Sequence, residues 1–108
     1  KAVHDLCRQQ IQFDAIFACS DLLAMTAIST LREEHLRVVE DVAVVGYDDI
    51  ELARYFHPPL TTIRQPIDLA GRALVQALVD ILEGAQPIPK LLPTQLIVRS
   101  TSHRSPEK

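Results

Sequence analysis

Val42-Ala43-Val44-Val45-Gly46-Tyr47-Asp48-Asp49-Ile50 is the stretch that decides the fold. Val42 to Val45 are all β-branched or small and apolar, with no polar alternation. Such a run suits a strand buried on both faces, as in the middle of a parallel sheet. Gly46 has no Cβ and lets the backbone turn or approach another group closely. Two carboxylates follow. In open α/β sheets ligands bind beyond the carboxyl ends of the strands, so Asp48 and Asp49 stand where chemistry is expected. The acids admit two roles. Asp48-Asp49-Ile50-Glu51 has capping-box spacing with Asp in the Ser/Thr place, which makes either acid a cap for the next helical turn. The other role is contact with a bound ligand.

Working outward, Leu22 to His35 reads as a helix. Ala24, Ala27, Ile28 and Leu31 form one apolar stripe, assigned to the sheet. Leu22, Met25 and Ser29 form a second stripe on another side. No Gly ends this helix, so His35 or a neighbour must take the terminal turn at some cost. Ahead of it, Asp14 to Cys19 is a short apolar run read as a strand, followed by Ser20-Asp21 as helix-starting residues. Residues 1–12 read as an amphipathic helix through Val3, Leu6, Cys7 and Ile11.

Downstream, residues 49–55 read as a short helical turn, with Leu52, Ala53, Tyr55 and Phe56 as a dense apolar group. His57-Pro58-Pro59 ends it. Leu60 to Arg64 reads as a strand. Pro66 fits the first turn of a long helix over 66–83 with a wide apolar face, terminated by Gly84. Residues 94–99 read as a half-buried strand, and 101–108 as a polar, frayed tail. The order α-β-α-β-(short α)-β-α-β implies an α/β fold, a mainly parallel sheet with flanking helices. Both faces of such a sheet need cover, so exposed apolar surface or an absent neighbour is expected.

The totals narrow the function. The 108 residues make one small domain, 47% hydrophobic and 23% charged, with a net charge of −3. Nucleic-acid binding by this segment alone is disfavoured, because phosphate contacts need clustered Lys and Arg. No apolar stretch reaches the length of a membrane span. Cys7 and Cys19 are too few for a disulfide framework and read as buried free thiols, which fits a reducing, cytoplasmic compartment. His4 and Cys7 share a helix face without a second ligand pair, so no metal site is expected. No nucleophile–base pair and no phosphate loop is found, so no catalytic residue, no cofactor and no enzyme activity is expected. The chain begins at Lys1 rather than Met, as a processed product or a piece of a longer protein does.

The chain resembles the last third of the LacI/GalR family of bacterial transcription repressors. The resemblance rests on Ala18-Cys19-Ser20-Asp21-Leu22-Leu23-Ala24-Met25, on Leu36 to Asp49, on Pro58-Pro59-Leu60-Thr61-Thr62-Ile63-Arg64-Gln65-Pro66, and on Leu92-Pro93-Thr94 to Val98. It implies a partial periplasmic-binding-protein-like (type I) domain, in which two α/β subdomains close on a small ligand. Residues 1–100 would be the carboxy-terminal subdomain, helix 66–83 crossing to the other subdomain and 94–99 returning. The helix-turn-helix head that reads DNA would lie in an absent amino-terminal part. Asp48 matches the family's cleft aspartate, which accepts hydrogen bonds from ligand hydroxyls or amines. Ser20 matches a cleft position at the end of the preceding strand. With Asp21 and Tyr47 these make the expected contacts to a sugar-like or nucleoside-like effector. Leu22, Leu23, Met25, Ser29, Leu52, Arg54, Tyr55 and Phe56 make the expected homodimer interface, since exposed apolar patches mark interfaces and two-fold dimers are the commonest assembly. Three positions depart from the family pattern: His35 where Gly is frequent, Val39 where Pro is frequent, and Thr26 where Gly is frequent. The rival of the same fold is a periplasmic sugar-binding protein.

Overall fold

The Val42–Val45 run sits at the centre of the sheet. In the computed structural model, which describes residues 1–104, β1 (Ala15–Phe17) lies parallel to β2 (Ala43–Val45), with Ile16 opposite Val44. Beyond β2 the ladder continues on its other side. Gly46 N–H donates to Thr61 O at 2.9 Å and Asp48 N–H to Ile63 O at 2.9 Å. Parallel bridges Val45–Thr61 and Asp48–Arg64 carry the pairing to β3 (Thr62–Arg64), which in turn pairs with β4 (Gln95–Ile97). The strands are shorter than expected at every end but the carboxyl end of β3, which falls on Arg64 as expected, and the mainly parallel α/β arrangement is the one observed.

Four helices accompany them among the described residues: α1 (Ala2–Arg8), α2 (Asp21–Glu33), α3 (Glu51–Tyr55) and α4 (Ile67–Leu82). The Ala24, Ala27, Ile28 and Leu31 stripe of α2 is buried as its spacing predicts. Ala24, Ile28 and Leu31 form one cluster with Val42, Val44, Ala53 and Leu60. Burying each of the larger aliphatic side chains contributes about 1.5–3 kcal/mol.

The end of α2 falls on His35, as expected. Its backbone is left-handed at φ 61°. His35 N–H donates to Arg32 O and Leu36 N–H to Leu31 O, which satisfies two terminal carbonyls, while Leu36 packs on the core. The same closure recurs at α1 with Gln10 (φ 55°) and at α4 with Gly84 (φ 88°). Only the last uses the residue that adopts this conformation without a Cβ penalty.

The chain forms two compact units. One holds Lys1–Arg64 together with the segment from Leu96 onward, and the other holds Gln65–Gln95. In the second unit α4 has no buried residue, and Leu74, Leu78 and Leu82 are exposed. A helix this apolar lacks cover among the described residues.

Several expectations are corrected. Residues 101–104 do not behave as a frayed tail. Thr101 is fully buried. Its Oγ1 accepts from Thr61 N–H at 2.9 Å and donates to Val44 O at 2.7 Å, while Thr101 O accepts from Val44 N–H at 2.8 Å. A threonine reads as surface in a polar stretch, yet here its hydroxyl completes backbone groups that would otherwise be unpaired. The remainder of the expected tail, residues 105–108, lies outside the described residues. Cys19 is exposed and Cys7 half-buried, so neither thiol is fully enclosed. Met25 is only 7% exposed and belongs to the chain's own core. A long, flexible thioether suits that gap better than a surface position.

Candidate functional site

The parallel strands bring Ser20, Tyr47, Asp48 and Arg64 to one edge of the sheet, at or just beyond the carboxyl ends of β1, β2 and β3. Ser20 caps α2. Its backbone is extended and its Oγ accepts from Leu23 N–H at 3.3 Å. This satisfies one of the free amide donors at the start of the helix. The cap is therefore Ser20 and not Asp21.

Asp21 has another task. Its backbone N–H donates to Tyr47 O at 3.0 Å, joining the ends of β1 and β2. Its side chain turns inward and the residue is 1% exposed. Oδ1 accepts from the Thr62 hydroxyl at 2.5 Å and Oδ2 from Ile50 N–H at 2.8 Å. A buried carboxylate is tolerated when donors surround it. Asp21 was expected among the ligand contacts. Its burial and these two partners place it beneath the site as a brace, because both carboxylate oxygens are already engaged inside the chain.

Gly46 makes that brace fit. A Cβ there would stand 2.3 Å from Asp21 Oδ1, 3.0 Å from Leu60 Cδ2 and 3.2 Å from Asp21 Cα. The residue is needed for close approach.

Asp48 and Asp49 both have left-handed backbones, at φ 113° and φ 55°. Neither is a helix cap. The residue before α3 is Ile50, with no side-chain cap bond, so the capping-box reading of this pair fails. Non-glycine residues in such conformations cost about 1–3 kcal/mol each and persist where the surroundings hold them, commonly at binding sites. The surroundings here are explicit. Asp48 N–H reaches Ile63 O, and Asp49 N–H reaches Thr62 Oγ1 at 3.3 Å. The Asp49 side chain, 8% exposed, accepts from Arg64 Nε at 2.7 Å and Arg99 Nη2 at 2.8 Å.

Burial alone would push the Asp49 carboxyl up, but hydrogen bonds and charge from Arg99 and Arg64 outweigh it and hold it below the usual aspartate range. A carboxyl lowered in the folded state stabilises the fold above its unfolded pKa, near 4, and that contribution is lost as pH falls through the lower native value. Denaturant titrations from about pH 5 down to about pH 2 should therefore show stability falling in the wild type and falling less in Asp49→Asn. Asp41, held low by hydrogen bonds from the Arg37 side chain and backbone, shares the direction from an exposed position. Equal acid slopes in wild type and Asp49→Asn would remove Asp49 from this account.

The site residues foreseen from sequence are thus gathered at one edge, with Ser20, Tyr47 and Asp48 partly accessible and Asp21 enclosed. Thr62 and Arg99 were not foreseen, and Asp49, foreseen at this strand end as a cap or a ligand contact, is instead paired with Arg64 and Arg99. Arg99 sits in an alternating stretch whose polar members read as solvent-facing, and nothing local pairs it with an acid 50 positions earlier. A shallow, open depression of about 820 Å³ lies elsewhere, at the amino ends of β1 and β2, lined by residues such as Gln10, Phe13, Glu34 and Asp41. It shares no residue with the edge described above. Among the described residues no group of three or more His, Cys, Asp or Glu side chains is placed to hold a metal ion.

The sequence profile of the periplasmic binding protein-like domain matches residues 2–102. The chain belongs to this family. The periplasmic-binding-protein-like domain here is similar to those of named regulators. The HTH-type transcriptional regulator CelR of Thermobifida fusca is 42% identical over 102 residues, covering 93% of this chain and 30% of the relative. The HTH-type transcriptional repressor PurR of Aliivibrio salmonicida (strain LFI1238) is 33% identical over 106 residues, covering 96% of this chain and 32% of the relative. Among solved structures, a transcriptional regulator CelR–cellobiose complex superposes with a TM-score of 0.86 at 42% identity, over 94% of this chain and 32% of that one. A dimeric Lac repressor with an 11-residue C-terminal deletion gives 0.83 at 35% identity, over 94% of this chain and 38% of that one. The LacI-type resemblance read from the sequence motifs is the one these comparisons show. The chain spans about a third of the length of the curated relatives it matches.

On the periplasmic-binding-protein-like domain the stripe residues are distributed unevenly. Leu22, Leu23, Ser29, Leu52, Arg54 and Tyr55 are exposed, Phe56 is half-buried against the core, and Met25 leaves the set. No helix among the described residues is long and apolar enough to cross a membrane.

Proposed function

We propose that this chain is the carboxy-terminal part of the effector-binding core of a LacI-type transcriptional regulator. The observation that carries the reading is Asp48. A carboxylate at the carboxyl end of the central parallel strand, on a left-handed backbone, stands where open α/β sheets bind ligands. It offers several acceptor sites, and sugars and nucleosides offer hydroxyl donors. Ser20 and Tyr47 flank it as further contacts, with Asp21 as the brace below. A sugar is the favoured effector class, supported by the relative whose structure is a cellobiose complex; a nucleoside-like effector is the second class. DNA would be bound by a helix-turn-helix head, supported by the similarity to two HTH-type transcriptional regulators. The regulator is a non-enzymatic, cytoplasmic homodimer in this reading.

In the full-length protein, Asp48→Ala should weaken effector binding by about 1.5–3 kcal/mol, the worth of a hydrogen bond to a charged group. Calorimetry would first screen mono- and disaccharides, cellobiose included, and nucleosides, and then compare the variant on the best binder. Equal affinity in a folded variant would sink the assignment.

The dimer would be formed by Leu22, Leu23 and Ser29 of α2 with Leu52, Arg54 and Tyr55 of α3, exposed residues that include four large apolar or aromatic side chains. Leu22→Asp with Tyr55→Asp should convert the full-length dimer to monomer by sedimentation velocity. A folded double variant that remains dimeric would move the interface elsewhere. A monomeric wild type that binds sugar without binding any DNA would favour the periplasmic sugar-binding protein of the same fold.

A further inference from the structure

We infer that Arg99 is a positioning residue for the effector contact: it holds the Asp48–Asp49 turn in its left-handed form from behind, without reaching the effector itself. The inference rests on the proposed role of Asp48, because the shape of the turn matters to binding only if Asp48 touches the effector.

Arg99 is anchored before it acts. Its backbone N–H donates to Thr61 Oγ1 at 2.8 Å, and its Nη1 donates to Leu60 O at 2.9 Å. Its side chain is 12% exposed, which leaves the guanidinium little freedom. From this fixed position Nη2 reaches Asp49 Oδ1 at 2.8 Å. Asp49 Oδ2 is taken by Arg64 Nε, so both carboxylate oxygens are held by guanidinium donors. A planar fork bound at two points transmits direction as well as charge.

What it holds is the strained part of the chain. Asp48 and Asp49 are consecutive non-glycine residues at positive φ, a conformation that relaxes unless something opposes it. The backbone bonds Asp48 N–H to Ile63 O and Asp49 N–H to Thr62 Oγ1 hold the turn from the β3 side. The Asp49 N–H bond is long, at 3.3 Å. The Asp49 side chain is therefore the stronger hold on the second residue of the turn, and Arg99 is its less exposed partner. Arg64 keeps its guanidinium half in solvent, where pairing is weak.

Hydrogen-exchange mass spectrometry of the full-length protein tests this without any effector. In Arg99→Gln, exchange across residues 47–50 should quicken about tenfold or more, while the core-packed segment of α2, residues 24–31, keeps wild-type protection. Arg99→Lys should recover part of the protection, since an ammonium still reaches one carboxylate oxygen but cannot bridge to Leu60 O. Asp49→Asn, a nearly isosteric change, provides a second reading should Arg99→Gln fail to fold, with the same local loss expected. Unchanged exchange at 47–50, or equal loosening of 47–50 and 24–31, overturns the inference. This result and the Asp48→Ala affinity are separate measurements, so a failed turn and a failed effector assignment are told apart.

Discussion

Replacing Asp21 by alanine is expected to destabilise the fold by about 3–5 kcal/mol. The carboxylate is buried and serves two donors from different parts of the chain, the Thr62 hydroxyl and the Ile50 amide. Removing it leaves the fully buried Thr62 hydroxyl and the half-buried Ile50 amide without this partner. Each hydrogen bond to a charged group contributes about 1.5–3 kcal/mol, and a buried orphan carries a similar penalty. Relief of the carboxylate's own desolvation offsets part of the loss, which keeps the estimate below the simple sum of all these effects. Asp21→Asn should fall between wild type and alanine, because an amide accepts at one atom but turns a donor toward the other partner. Denaturant unfolding of the full-length protein, with the slope m checked for constancy, provides the measurement. A loss under about 1 kcal/mol would mean that the two donors find other partners and that Asp21 braces nothing.

Gly46→Ala should cost about 3 kcal/mol through the same contact. The added methyl would sit 2.3 Å from Asp21 Oδ1, closer than any carbon–oxygen contact allows. The carboxylate cannot step aside cheaply, since that oxygen accepts from Thr62. Leu60 closes the other side at 3.0 Å and is itself fully buried. Overpacking of this kind costs about 1–3 kcal/mol, and the weakened Asp21–Thr62 bond adds to it. The two substitutions should not be additive. In an Asp21→Ala background the shortest of these contacts is gone while those to Leu60 and the Asp21 backbone remain, so Gly46→Ala should lose at least about 1 kcal/mol of its effect. Full additivity in that cycle would separate Gly46 from Asp21 and point to the backbone instead.

These two effects show where a reading of sequence stops. The Val42–Val45 run, the helical spacing of Ala24, Ala27, Ile28 and Leu31, and the proline and glycine at the ends of helix 66–83 are local signals. Each depends on residues within a few positions of one another, and each was legible. So was the place of Asp48 at a strand end, and the need for His35 to close α2. Element ends were less legible. The apolar pattern at 14–19 and 42–47 outruns the residues that satisfy strand pairing.

Met25 was misplaced for a related reason. Periodicity finds two stripes on α2 but does not say which of them the fold covers, and burial depends on what the rest of the chain brings against the helix. Thr101 was misplaced because its polarity is balanced only by Thr61 and Val44.

By itself, then, the sequence determined the order of helices and strands, the parallel sheet, and the residues that face its carboxyl edge, because periodicity and backbone propensity are properties of neighbours. Only the tertiary structure decided which polar groups at that edge brace it and which stay accessible. Asp21 meets Thr62 across 41 positions, and Asp49 meets Arg99 across 50. A hydrogen bond between distant residues leaves no trace in the spacing of either one. Its strength depends on burial and direction, and both exist only once the strands have aligned.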